Sequence, residues 1–274
     1  MKKKVKRRLL FFLVLASALL FVAVFAEWLC PYDPNAQDMA SSLQPPGNGH
    51  FAGTDRFGRD LFSRILVGLR TSVLATLSLV AIITLVGTIL GVLCGYCGGI
   101  LDSVVMRISD ICLAFPGLVF ALAIAALLNG GLHNAVLSLA VISWPKYARI
   151  ARSQTLAQKN TDYIAAAKLA GNTSRQIILR HILPNIAGTI LVTAMLDIGT
   201  MLMELAGLSF LGLGAQPPTA ELGNMMSGGR SMLQTYPWVI LGPGLALFLV
   251  VVIFNLLGDT VRDYLDPKNS GRKK

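Results

Sequence analysis

AAAKLAGNTSRQIILRHILPN, residues 165–185, is a short polar stretch in a chain of 274 residues that otherwise consists mostly of long apolar blocks. The chain is 54% hydrophobic and only 14% charged, whereas a soluble domain carries about 25% charged residues. Apolar blocks of about 20 residues are long enough to cross a bilayer as α-helices. The composition therefore predicts a polytopic membrane protein, and residues 165–185 are predicted to connect two of its membrane helices.

Six apolar blocks predict an all-α fold with six transmembrane helices. They cover residues 9–28, 72–97, 105–128, 133–151, 186–213 and 238–257. The middle four contain glycines and polar residues, as expected for helices that line a pathway rather than face lipid on all sides. The basic start, the basic residues between 146 and 180 and the basic end all fall on one side of six spans. By the positive-inside rule this side is the cytoplasm, so both termini are predicted to be cytoplasmic.

This topology divides the chain into four parts. They are a cytoplasmic tail with a first anchor helix (1–29), an external segment with an interfacial helix (30–70), a five-helix core with a cytoplasmic loop near 152–184 (71–262), and a basic cytoplasmic tail (263–274). The apolar run before Glu27 could instead be a cleaved signal peptide, but it is long for one, and an uncleaved anchor is favoured. Asp60 is predicted to begin the interfacial helix and to pair with Arg64, before the chain enters the membrane at Thr71.

Motifs for catalysis are missing from the sequence. The chain has no G-x-x-x-x-G-K-[ST] phosphate loop, no G-x-S-x-G and no H-E-x-x-H, and its three histidines lie in different segments. Its four cysteines suggest no disulfide or zinc framework, and no metal site is predicted. The net charge of +10 follows from topology and does not indicate nucleic-acid binding. The chain is thus predicted not to be an enzyme.

The cytoplasmic stretch is predicted to form two short helices joined at a glycine. Asn160 or Thr161 can cap the first helix, and Gly171 can end it in the left-handed conformation. Thr173 and Gln176 have the spacing of a capping box for the second helix, and Pro184 marks the next turn into the membrane. One face of the first helix consists of small residues and one aromatic: Tyr163, Ala166, Ala167 and Ala170. This face predicts a close contact with another protein, although a merely solvated connection is an alternative.

This stretch resembles the EAA loop of the permease subunits of binding-protein-dependent ABC importers, whose pattern is E-A-A, three residues, G, nine residues, I-x-L-P. The matching residues are Ala166, Ala167, Gly171, Leu183 and Pro184, whereas Ala165 replaces the glutamate and His181, next to Ile182, replaces the isoleucine. Five further motifs are similar to the dipeptide, oligopeptide and nickel group of these permeases. They are GTDRFGRDLFSR (53–64), FP (115–116), RHILPN (180–185), AGLSFLGLGAQPPTAELG (206–223) and FNLLGDTVRDYLDP (254–267).

The resemblance implies a type I ABC importer permease fold in the cytoplasmic (inner) membrane. It implies a homologous second permease, two cytoplasmic ATPases that bind ATP and Mg²⁺, and an external solute-binding protein, with no cofactor on this chain. Residues 30–70 could dock that binding protein, although an interfacial elbow is the plainer interpretation. The polar stretch would be the coupling helix against an ATPase, with these contact residues: Tyr163, Ala166, Ala167, Gly171, His181, Ile182, Leu183 and Pro184.

The fifth span contains two acidic residues, Asp197 and Glu204, with Thr200 between them. They are seven residues apart and hence lie on nearly the same helix face. Carboxylates are costly against lipid, so this face is predicted to line the translocation path, although Asp197 could instead be hydrogen-bonded to the sister permease. The wording LDIG and PPTAELG is more similar to nickel permeases, so nickel or a metal chelate is expected, with a di- or oligopeptide as the alternative. A channel, a secondary transporter or a membrane scaffold are more distant alternatives.

Overall fold

The computed structural model describes residues 2–47 and 49–265, and the regular elements of this part of the chain are helical. The helices in chain order are α1 (Lys2–Val24), α2 (Ala26–Leu29), α3 (Leu61–Cys97), α4 (Gly99–Leu113), α5 (Gly117–Leu127), α6 (Leu132–Lys159), α7 (Asp162–Leu169), α8 (Ser174–Ile177), α9 (Leu183–Phe210), α10 (Leu222–Gly229) and α11 (Trp238–Leu265). Following the predicted orientation, we call the end of the bundle that carries residues 30–60 the outer end. The end that carries α7 and α8 is the inner end.

The membrane-crossing helices account for most of the bundle. Four helical stretches are long and apolar enough to cross a bilayer: Val5–Val24, Leu61–Cys97, Ser174–Phe210 and Trp238–Leu265. α4 and α5 together make a fifth candidate, bent by 95° at the break between them. The remaining predicted span, 133–151, lies within α6, where Lys146, Arg149 and Arg152 make the helix more polar than the others. The all-α membrane fold is confirmed. By length and hydropathy, however, the described helices provide four or five candidate spans, and not the six that were predicted.

The predicted span 105–128 is not one helix. α4 ends at Leu113, and α5 begins after Pro116, whose missing N–H suits the start of a helix but not its interior. α4 is held against α6 by Arg152, whose Nε and Nη2 donate to the two carboxylate oxygens of Asp102 at 2.5 and 2.6 Å. The chain therefore turns sharply at a point where hydropathy alone shows a continuous apolar block.

The prediction of a separate interfacial helix before residue 71 is wrong. α3 runs without a break from Leu61 to Cys97, and Asp60 caps its start by accepting a hydrogen bond from the Ser63 N–H at 2.7 Å. A helix of 37 residues is about 55 Å long at 1.5 Å per residue, so its first turns extend beyond a hydrocarbon core about 30 Å thick. These turns do not need to lie on the membrane surface, because residues 30–60 and α10 cover them.

Residues 30–47 and 49–60 fold into a cap over the outer end of α3. Arg64 is buried and does not pair with Asp60 as predicted; its Nη1 donates to the carbonyl of Pro34 at 2.9 Å and its Nη2 to the carbonyl of Pro218 at 3.3 Å. Within the cap, the Ser41 hydroxyl and the Ala40 N–H donate to Asp38, which lowers the pKa of that carboxyl. The cap is thus a folded unit tied to the bundle by a buried guanidinium.

The core of the bundle lies where α3, α6 and α9 meet. Glycines at intervals of four residues on α3, namely Gly87, Gly91 and Gly95, face α6. A Cβ atom on Gly87 would lie 2.5 Å from the Trp144 carbonyl oxygen, and one on Gly91 would overlap the carbonyl oxygen of Ala148. Small residues at this spacing let two membrane helices approach backbone to backbone. The α3–α6 seam therefore fixes the position of α6 and of the polar residues that it carries.

Candidate functional site

The first candidate site is the inner hairpin, which consists of α7, the turn at Gly171 and α8. Gly171 has φ of +81°, so the predicted left-handed turn is confirmed. Thr173 and Gln176 form the predicted capping box: the Thr173 hydroxyl accepts from the Gln176 N–H at 3.4 Å and the Gln176 side chain accepts from the Thr173 N–H at 2.8 Å. Because both ends of this turn are fixed, the two helices keep a defined mutual angle.

The hairpin has a buried side and an exposed side. Ile164 and Ile177 are buried against the bundle. Among the predicted contact residues, the structure places four on the exposed side, leaves two partly buried and buries two. These are, respectively, Tyr163, Ala166, Gly171 and Pro184; His181 and Leu183; and Ala167 and Ile182. The predicted small-residue face is thus only partly available to a partner, because Ala167 packs inward.

Tyr163, His181 and Asn185 tie α7 to the base of α9. The Asn185 side-chain amide donates to the Tyr163 hydroxyl oxygen at 3.2 Å and to the His181 carbonyl at 2.6 Å. The Tyr163 hydroxyl in turn donates to the Gln158 side-chain carbonyl. Two predicted residues from different helices are thereby brought together, and the hairpin is anchored to the membrane helix that follows it.

One exposed apolar residue on the hairpin was not predicted from the sequence. Leu169, the last residue of α7, is 91% exposed. An isolated apolar side chain on a surface is not unusual, but this one projects from a hairpin whose two isoleucines, Ile164 and Ile177, are both buried. Only the register of the helix, with Ile164 turned inward, could have indicated that Leu169 points away.

Pro184 does not mark a turn, contrary to the prediction. A π-helical turn, Ile178–Ile182, joins α8 to α9, and the Leu183 N–H donates to the carbonyl of Ile178, five residues earlier. The wider turn accommodates Pro184 at the start of α9 without a break. Proline has no backbone N–H to donate, and here the backbone hydrogen bonds of the helix have already changed from the α-helical to the π-helical pattern. The helix from Ser174 to Phe210 is therefore continuous.

The second candidate site lies at the middle of α9. Asp197 is 5% exposed, and both of its carboxylate oxygens have partners on α6. Lys146 Nζ donates to Oδ1 at 2.5 Å, and the Tyr147 hydroxyl donates to Oδ2 at 2.9 Å. The alternative that Asp197 is a hydrogen-bonded structural residue fits this geometry, although its partners belong to the same chain and not to a sister subunit.

Thr200 and Glu204 differ from Asp197 in their surroundings. Thr200 is exposed and Glu204 is partly exposed, and within residues 2–47 and 49–265 the Glu204 carboxylate has no hydrogen bond or ion pair. The expected stripe of two equivalent acids is therefore replaced by one buried carboxylate, which pairs with a half-exposed lysine, and one partly exposed carboxylate. The sequence did not identify Lys146, whose side chain is 52% exposed; its position after Pro145 in an apolar block was the available signal.

A third site, also missed from the sequence, joins α10 to the outer half of α3. Glu221 is 0% exposed and caps α10 by accepting from the N–H groups of Gly223 at 3.1 Å and Asn224 at 2.8 Å. It also accepts from the Ser72 hydroxyl at 2.9 Å. Because three donors converge on one carboxylate, Glu221 holds α10 in place as a positioning residue.

Two protein-family models together match most of the chain, and they show which family it belongs to. Residues 87–271 match the model described as the inner membrane component of binding-protein-dependent transport systems, and residues 4–46 match the N-terminal TM domain of oligopeptide transport permease C. The chain belongs to the family of binding-protein-dependent transport permeases. It is a permease subunit and a multi-pass inner-membrane protein, and this assignment replaces the channel, secondary-transporter and scaffold alternatives.

Curated relatives of the permease match it over almost its whole length. It is 45% identical, over 95% of its own length and 87% of the relative's, to the "Probable D,D-dipeptide transport system permease protein DdpC" of Escherichia coli. It is 40% identical, over 95% and 89%, to the dipeptide transport system permease protein DppC of Haemophilus influenzae. It is 44% identical, over 92% and 84%, to the glutathione transport system permease protein GsiD of Escherichia coli.

The permease also has a solved structural neighbour. A chain of the MetNI methionine ABC transporter, solved in inward-facing conformations, aligns with a TM-score of 0.59 and 21% identity over 74% of this chain and 96% of that chain. This likeness shows the fold alone, and it confirms the type I ABC importer permease fold.

Proposed function

We propose that this permease forms one half of the translocation pathway of an ATP-driven importer of di- or oligopeptides. All three relatives described above are named for dipeptide or glutathione transport, and none is named for nickel. Nickel and metal chelates, the expectation from the sequence, thus find no support in these names. The open side chains of the second site are an ammonium, a hydroxyl and a carboxylate, which suit a peptide better than nickel, for which imidazole is a preferred ligand.

The observation that carries the pathway assignment is an exposed polar surface that begins at the middle of α6 and extends along the outer half of α9. We call it the polar wall; it consists of Lys146 on α6 and of Thr200 and Glu204 on α9. A charged residue in the centre of a bilayer costs roughly 2.5–3.5 kcal/mol on insertion scales. Lys146 and Glu204 therefore do not face lipid, and the polar wall borders a water-filled path shared with a second permease.

The inner hairpin is the proposed contact with one of two cytoplasmic ATPases, which bind ATP and Mg²⁺. Its exposed side offers Ala166 for close approach and Leu169 as an apolar side chain that a partner can bury. When the ATPases close, the hairpin and α9 move together because the helix between them is continuous, and access to the path changes sides. A solute-binding protein delivers the peptide at the outer end.

Uptake by a strain that lacks this subunit tests the proposed substrate. One arm receives radioactive nickel and the other a toxic dipeptide, and the wild-type gene on a plasmid is the control. Loss of dipeptide sensitivity with unchanged nickel accumulation is the expected result. Loss of nickel accumulation with full dipeptide sensitivity would contradict the proposal.

Gly171→Val is expected to uncouple transport without preventing membrane insertion. A Cβ atom at this position meets no neighbour within 4 Å, so the effect comes only from the left-handed backbone, which costs a branched residue about 1–2 kcal/mol. That strain is expected to lower peptide uptake roughly fivefold or more by displacing the hairpin. Gly171→Asn is the matched control, because asparagine tolerates this conformation and is expected to retain most uptake. Equal uptake by Gly171→Val and the wild type would remove the hairpin from the coupling mechanism.

Cysteine labelling is expected to place residues 30–60 outside the cell and the hairpin inside. Single cysteines at the exposed positions Phe51 and Arg175 are introduced into a variant whose four native cysteines are replaced by serine. An impermeant maleimide should label position 51 in intact cells and position 175 only after permeabilisation, as the positive-inside rule requires. Labelling at Ser270, in the tail outside the described residues, should follow position 175. The opposite pattern would invert the topology.

A further inference from the structure

We propose that Lys146 and Glu204 are the two ends of a peptide-binding subsite within the polar wall. Glu204 would accept hydrogen bonds from the peptide's N-terminal ammonium, and Lys146 would donate to its C-terminal carboxylate. This inference rests on the proposed function, and it names the groups by which the permease itself, apart from its binding protein, recognises a zwitterionic peptide.

Lys146 is fixed in position and still has donors to offer. An ammonium has three N–H donors, and one of those of Lys146 is used by Asp197 Oδ1 at 2.5 Å. The second Asp197 oxygen accepts from Tyr147, and Asp197 is only 5% exposed, so a peptide ammonium cannot reach this carboxylate. Asp197 thus acts as a positioning residue that holds Lys146, while half of the lysine side chain remains open.

Glu204 is the complementary group. Its side chain is partly exposed and has no hydrogen bond or ion pair within the described residues, and it lies two helical turns beyond Asp197 on α9. Because Lys146 and Asp197 neutralise each other, Glu204 is left as the uncompensated charge of the cluster. A ligand with an ammonium group at the level of Glu204 supplies the missing positive charge, and Thr200 offers a hydroxyl on the way to Lys146.

The spacing of the two groups suits a short peptide. Asp197, which binds Lys146, and Glu204 are seven residues apart on α9, so their levels along the helix differ by about 10 Å. An extended dipeptide spans about 7 Å, and a hydrogen bond of about 2.8 Å at each end gives about 12–13 Å between the protein atoms. A dipeptide can therefore reach both groups at once, with its backbone beside Thr200.

Photolabelling of the complete transporter in nanodiscs, without the binding protein, tests this subsite. The probe is a dipeptide with a benzophenone side chain, and an unlabelled dipeptide competes in three forms: free, N-acetylated and C-terminally amidated. Omitting the binding protein leaves the permease as the source of any selectivity. In the wild type, each blocked terminus is expected to raise the half-competing concentration about tenfold.

Two variants assign the termini to the two residues. In Glu204→Gln, N-acetylation should shift competition less than twofold, whereas amidation should keep its tenfold effect. The double variant Lys146→Met/Asp197→Asn removes both charges of the buried pair, so it leaves no unpaired buried carboxylate; here amidation should lose its effect and N-acetylation should keep it. Met203→Gln adds an amide beside Glu204 on α9 and should behave like the wild type.

Three results would overturn the inference: no photolabelling of the wild-type permease, blocked peptides that compete as well as the free one, or equal effects of both blocking groups in every variant. These outcomes are distinguishable from a failure of the proposed function. If the strain without this subunit still takes up dipeptide, the function is wrong; if uptake requires the subunit but labelling ignores the termini, only the subsite is wrong.

Discussion

Gly91→Leu is expected to prevent the helix bundle from forming. Even the first side-chain atom at this position would overlap the carbonyl oxygen of Ala148, and it would lie 2.8 Å from the Cβ of Ala151. Backbone atoms cannot move aside as a flexible side chain can, so α3 and α6 must separate. Overpacking a close-packed interior costs about 1–3 kcal/mol and sometimes more, and a leucine between two backbones belongs at the upper end.

The amount of folded permease in membranes and its resistance to protease in detergent measure this effect. We expect less than about a tenth of the wild-type yield, which corresponds to at least ~1.4 kcal/mol. Gly188→Leu is the matched control, because Gly188 also lies in a membrane helix but a Cβ atom there meets nothing within 4 Å. Equal yields for the two variants would show that the α3–α6 seam is not tightly packed.

Glu221→Ala is expected to release α10 from the outer end of the bundle. The substitution leaves the N–H groups of Gly223 and Asn224 and the hydroxyl of Ser72 without their acceptor. Each buried donor without a partner costs about 1–3 kcal/mol, so the total loss should be about 3 kcal/mol or more. Glu221→Gln keeps one of the two oxygens and should fall between alanine and the wild type.

Thermal unfolding of the detergent-solubilised permease, followed by dye binding to its cysteines, measures this loss. Glu27→Ala is the control, because Glu27 pairs with Arg70 at an exposed position and exposed ion pairs contribute about 0–1 kcal/mol. The apparent unfolding temperature should fall by several degrees more for Glu221→Ala than for Glu27→Ala. If the two variants unfold alike, Glu221 does not hold α10.

The sequence predicted what depends on local composition and turn chemistry. The apolar blocks predicted membrane helices, Gly171 predicted a left-handed turn, and the spacing of Thr173 and Gln176 predicted a capping box. Asp60 was correctly placed at the start of α3. Each of these signals lies within a few residues of the structure that it produces, so no tertiary information is needed to interpret it.

The two errors in helix boundaries, at the start of α3 and at the bend between α4 and α5, have a common physical origin. Hydropathy indicates which residues can lie in lipid, but it does not indicate where a helix begins or bends. Nothing between Leu61 and Thr71 breaks a helix, so α3 begins eleven residues before its apolar block. Conversely, an apolar block can contain a sharp bend when a proline is present, as Pro116 shows.

Hydrogen-bond partners that are distant along the chain could not be predicted from the sequence either. Asp197 finds Lys146 on another helix, and Glu221 finds Ser72 almost 150 residues earlier. A carboxylate in a membrane helix indicates that it needs a polar partner or a water-filled cavity, but it does not indicate which residue the partner is. The sequence could therefore place Asp197 and Glu204 on one face of α9 but could not show that α6 covers the first and leaves the second open.

The continuous helix from Ser174 to Phe210 can transmit a tilt from the inner hairpin to the translocation path as a rigid body. Glu204 lies about 45 Å from Ser174 at 1.5 Å per residue, so a tilt of about 5° at the hairpin would displace it by about 4 Å. Had Pro184 broken the helix, that tilt would have been absorbed at the joint. The extra residue in the π-helical turn thus preserves mechanical stiffness, and a displacement of a few ångströms is enough to make or break the hydrogen bonds of a bound peptide.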